Sequence, residues 1–131
     1  MAEKKRKILA VDDETDLLLI IKTALSSEGF EVVTATNGPD ALAMAEDEHP
    51  DLVILDVMMP EMNGFEVLQA LREQPSTERV PVIMLTGLSD KEKIRDALAA
   101  GIDYYIIKPF QLHDLISKVQ LAIADSDMPG L

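Results

Sequence analysis

Five polar residues of complementary chemistry stand at the ends of short apolar runs. Asp12 and Asp13 follow Ile8 to Val11, Asp56 follows Leu52 to Leu55, Thr86 follows Val80 to Leu85, and Lys108 follows Tyr104 to Ile107. Each alone has an ordinary reading as a helix cap, a strand end or a surface cation; together they suggest a reaction centre. Two carboxylates about 4 Å apart repel by roughly 4 kcal/mol at an effective dielectric near 20, so a cluster of three demands a cation or protons. Oxygen donors without His or Cys select a hard cation, and Mg2+ is the one that keeps waters for a phosphate-bearing partner. Lys108 and Thr86 add donors for anionic oxygens. The set is suited to stabilising a phosphoryl group in transit, where positioning and charge neutralisation do most of the work.

The elements that must bring these residues together are legible from pattern. Apolar runs rich in β-branched residues, the four above and Phe30 to Ala35, alternate with stretches of helical period. Leu17 to Leu25 predicts a helix ending near Gly29, and Gly38-Pro39 opens a second over Ala41 to Glu48. Asn63 with Glu66 predicts a capping box for the third, and Ser89 with Glu92 repeats the pattern before a fourth that Gly101 ends. A fifth is expected from Gln111 to Ala124. Alternating strand and helix predicts an α/β fold, a parallel sheet doubly wound by helices, and ligands of such sheets bind outside the carboxyl ends of the strands. The expected organisation is a basic arm at residues 1–6, one domain at residues 7–124 and a frayed tail at residues 125–131.

Composition narrows the class. A length of 131 residues and an apolar fraction of 47% fit one globular domain. Zero cysteines removes disulfides, thiolate metal sites and thiol nucleophiles. No run approaches the roughly 18 apolar residues of a membrane span, so a cytoplasmic protein without a membrane partner is expected. A net charge of −12 argues against attraction to a nucleic-acid backbone by this chain alone, and Lys4 to Lys7 reads as a solvated arm.

In detail the residues resemble the receiver domains of bacterial response regulators. The resemblance runs from Lys7 to Ala124 and rests on Val11-Asp12-Asp13-Glu14, on Asp56 to Gly64 with Pro60 and Gly64 in register, on Thr86-Gly87, and on Tyr105 to Phe110. It implies a flavodoxin-like fold with five strands in the order 2-1-3-4-5. It implies that Asp56 becomes an aspartyl phosphate and that Asp13, Asp56 and the Met58 carbonyl bind Mg2+ directly, with Asp12 acting through water. Lys108 and Thr86 then match the groups that hold the phosphoryl oxygens, Thr86 and Tyr105 the switch pair, and the bond to Pro109 is expected to be cis. The implied partners are a histidine kinase or histidine phosphotransfer protein, and an effector or a second copy engaging the helix 4–strand 5–helix 5 surface. Met58 and Leu88 fall at positions where relatives vary, which leaves the lifetime of the phosphorylated state open.

Two rivals are weaker. A haloacid-dehalogenase-type phosphatase needs a second Asp two residues after the nucleophile, where this chain has Met58. A nucleotide or flavin binder needs a Gly-rich loop after the first strand, where Asp12-Asp13-Glu14 would repel a diphosphate. His49 and His113 fall at no expected strand end and read as surface residues, and the methionines mostly as core filler. A signalling domain rather than an enzyme is expected, its chemistry limited to self-phosphotransfer and autodephosphorylation. With one domain in this sequence, a stand-alone regulator or phosphorelay intermediate is favoured over a fragment of a longer DNA-binding regulator or hybrid kinase.

Overall fold

The computed structural model describes residues 5–127. Strands β1 (Lys7–Val11), β2 (Glu31–Ala35), β3 (Leu52–Leu55), β4 (Val82–Thr86) and β5 (Tyr104–Ile107) alternate with helices α1 (Thr15–Ser27), α2 (Gly38–Glu48), α3 (Gly64–Glu73), α4 (Lys91–Ala99) and α5 (Leu112–Asp127). All strand pairs are parallel and the order is β2-β1-β3-β4-β5, the flavodoxin-like arrangement.

Alternation along each strand builds two cores, one on each face of the sheet. Leu9, Val11, Val53, Leu55, Val82 and Met84 face a cluster with Ala41 and Ala45 of α2 and Val67, Leu68 and Leu71 of α3. Ile8, Ala10, Leu52, Ile54, Ile83 and Leu85 face the other, with Leu18, Ile21 and Leu25 of α1 and Leu115 and Val119 of α5. The central strands are apolar at successive positions because both faces are covered. Each fully buried Leu or Ile contributes about 1.5–3 kcal/mol.

Helix ends follow local chemistry, with two departures from expectation. The Asn63–Glu66 capping box is present on α3, and Asn37 caps α2 by accepting from the Asp40 N–H at 2.9 Å. The cap of α4, however, is Asp90 rather than Ser89: its carboxylate accepts from the N–H groups of Glu92 (2.8 Å) and Lys93 (3.4 Å). An ionised acceptor is stronger than a hydroxyl and is favoured by the positive end of the helix dipole, which decides between adjacent candidates. The second departure is α5, which continues through Ala124 to Asp127, so the expected boundary falls inside a helix. Ala122 and Ile123 are buried immediately before that last stretch, and Asp127 meets Arg6 at 2.7 Å. The rest of the expected arm and tail, residues 1–4 and 128–131, lies outside the described residues.

Candidate functional site

The parallel ladder runs one residue past β1, β3 and β5, and this places the side chains on one rim. The Asp12 N–H donates to Ala35 O (3.2 Å), the Asp56 N–H to Val11 O (3.0 Å) and the Lys108 N–H to Thr86 O (2.9 Å). Thr86 is itself the last residue of β4. The order β2-β1-β3-β4-β5 makes β1 and β3 neighbours and so sets Asp12 and Asp13 beside Asp56.

Carboxylate oxygens of Asp12, Asp13 and Asp56 lie within 4.8 Å of one another. Asp12 and Asp56 are buried, at 2% and 3% exposure, while Asp13 faces solvent. The Lys108 ammonium sits 2.8 Å from Asp12 Oδ2, 3.4 Å from Glu14 Oε1 and 3.6 Å from Asp56 Oδ2. The second Asp12 oxygen accepts from the Glu14 N–H at 2.9 Å, and Asp56 Oδ1 accepts from the Met58 N–H at 3.3 Å. Burial raises the Asp56 pKa above its ordinary value and the charge of Asp12 raises it further; Lys108, the Met58 N–H and the Thr86 hydroxyl oppose them. Burial alone would lower Lys108, but Asp12, Asp56 and Glu14 together hold it above the usual ammonium range.

Three carboxylates with one ammonium among them leave an uncompensated negative charge on a rim whose clustered donors are all oxygen. That donor set fits a hard divalent cation and gives a soft metal no thiolate or imidazole.

Thr86 and Tyr105 meet through the backbone of Leu88. The Thr86 hydroxyl, fully buried, accepts from the Leu88 N–H at 3.3 Å, and the Tyr105 hydroxyl donates to the Leu88 carbonyl at 2.6 Å. Sequence reasoning weighed Leu88 only for its side chain and missed this link; its position two residues after Thr86 was the available signal. Glu14, noted only as part of a motif, is a further partner of Lys108. The Met58 side chain is 61% exposed, the Lys108–Pro109 peptide is cis, and both histidines are exposed.

The loop from β3 to α3 is held against the site by close packing. Gly64 donates its N–H to Val57 O at 2.9 Å. A side-chain carbon there would collide with the carbonyl oxygen of Asp56 and come within 2.7 Å of Val57 Cα. The first turn of α3 therefore rests on the backbone of the central aspartate, a contact that only glycine permits.

Comparison with known proteins agrees with the fold. Residues 8–120 match the response regulator receiver domain. The probable transcriptional regulator ycf27 of Cyanophora paradoxa is 42% identical over 131 residues, covering 100% of this chain and 54% of that protein. The phosphate regulon transcriptional regulatory protein PhoB of Rhizobium meliloti is 40% identical over 114 residues, 87% of this chain and 50% of that one. The chain thus spans about half the length of these curated relatives. Among solved structures, chemotaxis protein CheY4 of Vibrio cholerae superposes with a TM-score of 0.86 at 36% identity, covering 91% of this chain and 99% of that one. A CheY-like receiver domain protein from Methanospirillum hungatei gives 0.89 at 33% identity, with 95% and 98% covered. The chain belongs to the response regulator receiver domain family of two-component signalling.

Proposed function

We propose that this receiver domain takes a phosphoryl group on Asp56, with Mg2+ bound by Asp13, Asp56 and the Met58 backbone and with Asp12 acting through water. The observation that carries the reading is the buried Asp56 carboxylate set among Asp12, Asp13 and Lys108 at the end of β3. An Asp56 oxygen attacks phosphorus as the bond from phosphorus to the donor, a phosphohistidine nitrogen or an acyl oxygen, breaks, and the leaving group keeps the electron pair. Lys108 turns from Asp12 toward the new phosphoryl oxygens, and the Thr86 hydroxyl donates to another. When bound, Mg2+ neutralises the crowded carboxylates and the charge arriving with the phosphoryl group. Only groups whose interactions strengthen as charge develops on the transferred oxygens accelerate the step, and Lys108 and Thr86 answer that description.

The donor of this reading is a histidine kinase or histidine phosphotransfer protein in the cytoplasm, and the output surface is α4, β5 and α5. Among the described residues no helix is long and apolar enough to cross a membrane. Transcriptional control is a description of those two relatives, of which this chain spans about half.

Incubation with acetyl phosphate and Mg2+ should add one phosphoryl group, and peptide mapping after borohydride reduction should locate it at Asp56. No uptake, or uptake at another residue, would overturn the proposal. Mg2+ should also raise the melting temperature, by the equivalent of about 2.7 kcal/mol at a hundred times its dissociation constant. A melting curve indifferent to Mg2+ would argue against the metal.

A further inference from the structure

Gly38 opens α2 and packs against Met62 in the loop between β3 and α3. A side-chain carbon at Gly38 would lie 2.7 Å from Met62 Sδ, 2.8 Å from its Cβ and 2.9 Å from its Cγ. A new rotamer can move the sulfur and Cγ, but Cβ is carried by the backbone, so relief requires the loop itself to move. Among the described residues the positive-φ glycines are Gly29 and Gly101, and Gly38 is not one of them. In a helix, alanine is intrinsically better than glycine by up to about 1 kcal/mol. Backbone freedom therefore does not account for Gly38; room for Met62 does.

The loop that Met62 belongs to carries Met58. Its base is tied by the Gly64 N–H to Val57 O (2.9 Å), Met59 is buried in the core, and Met62 is half-buried against the same cluster. Between them the Met62 N–H donates to Pro60 O (2.8 Å), and Glu61 takes a left-handed backbone with φ of 67°. The Met58 side chain is largely exposed, so the Met58 backbone is placed by its own N–H bond to Asp56 Oδ1 (3.3 Å) and by the packing of its neighbours.

We infer that the Gly38–Met62 contact is a positioning device for the metal side of the site: it sets where the β3–α3 loop, and with it the Met58 backbone, lies relative to Asp13 and Asp56. The inference rests on the Mg2+ reading above and adds to it a helix, α2, that contributes no ligand. Residues that orient a ligand without touching the metal typically change affinity by about 10–100-fold when altered. Residues packed in one contact respond non-additively.

The test compares Gly38→Ala, Met62→Ala and the double variant with the unmodified chain, each folded and metal-free at the start. Mg2+ affinity is read by titration of amide resonances. Each single change should weaken Mg2+ binding about tenfold, Gly38→Ala by pushing the loop and Met62→Ala by loosening it. The double variant removes the overlaps with Sδ and Cγ but keeps the one with Cβ, so it should recover only part of the loss, binding Mg2+ more tightly than the sum of the single changes would give. Without metal, Gly38→Ala should shift the amides of Val57 to Gly64, and the double variant should return them part of the way. Should Gly38→Ala fail to fold, Met62→Ala decides: a tenfold loss supports the device and unchanged affinity overturns it. Single variants that bind Mg2+ like the unmodified protein would sink this inference alone. An unmodified protein that binds no Mg2+ at the carboxylates would sink the reading of the site and the inference with it.

Discussion

Asp56→Asn should abolish phosphoryl uptake from acetyl phosphate and, in the metal-free protein, raise the melting temperature at neutral pH. The first half follows from removing the only nucleophile of the proposed chemistry. The second follows from crowding: Asp56 is buried beside Asp12, its pKa is raised first by burial and then by that charge, and Lys108 lies nearer Asp12 than Asp56. A carboxyl whose folded pKa is raised contributes stability below its unfolded pKa, and that contribution is lost as pH rises through the folded pKa. The metal-free unmodified chain should thus lose stability, relative to the variant, between the ordinary carboxylate range and the raised pKa of Asp56. At neutral pH the neutral amide should gain on the order of 1–2 kcal/mol, the repulsion of one partly screened carboxylate pair. Lys108 keeps its Asp12 partner at 2.8 Å, so no cation is stranded. Intact mass with and without acetyl phosphate reads the first effect, and calorimetry in chelator from about pH 4 to pH 8 reads the second. A mass gain equal to that of the unmodified protein would remove Asp56 from the mechanism. A variant less stable at every pH would contradict the crowding.

The other large effect is expected at Thr86. Its hydroxyl is bonded to the Leu88 N–H, and the Leu88 carbonyl holds the Tyr105 hydroxyl, so a hydroxyl drawn toward new phosphoryl oxygens pulls on a three-residue chain ending in β5. Thr86→Ala cuts that chain at its first bond while leaving Asp56 and Lys108 intact. It also deprives the Leu88 N–H of its acceptor, at a cost of about 1–3 kcal/mol if water does not replace it. Beryllofluoride, a phosphoryl mimic, should shift amide resonances from Ser89 to Ala124 in the unmodified chain and shift them about fivefold less in Thr86→Ala, the lower end of ordinary coupling between sites. The variant should still accept phosphate. Equal remote shifts in both proteins would show that Thr86 does not transmit the change, and silence beyond the pocket in the unmodified chain would remove the output surface from the proposal.

The sheet and its rim were legible in the sequence because a parallel sheet covered on both faces writes itself as continuous apolar runs, and Asp12, Asp56 and Lys108 stand directly after them. The strand order was not legible in that way; it came through the family resemblance, since periodicity carries no neighbour information. Adjacent cap formers were ambiguous, and the choice of Asp90 over Ser89 was settled by which side chain reaches the N–H groups of Glu92 and Lys93. The end of α5 was misjudged because Ala124 to Asp127 is mostly polar, while what supports it, Arg6 and the buried Ala122 and Ile123, comes from packing. The link through Leu88 was hidden for a different reason. It uses an N–H and a carbonyl that every residue but proline possesses, so no side-chain type announces it.

Far from the rim, the Arg72 guanidinium donates to the carbonyls of Val80 (2.8 Å), Gly101 (3.1 Å) and Glu78 (3.4 Å). It fastens the approach to β4 and the turn after α4 to the same helix, α3, whose first residue rests on Asp56. The far end of α4 is thus the tethered one. A force applied near Asp90 should therefore move the Leu88 end of α4 more than the Gly101 end, and Arg72→Ala should lessen that difference.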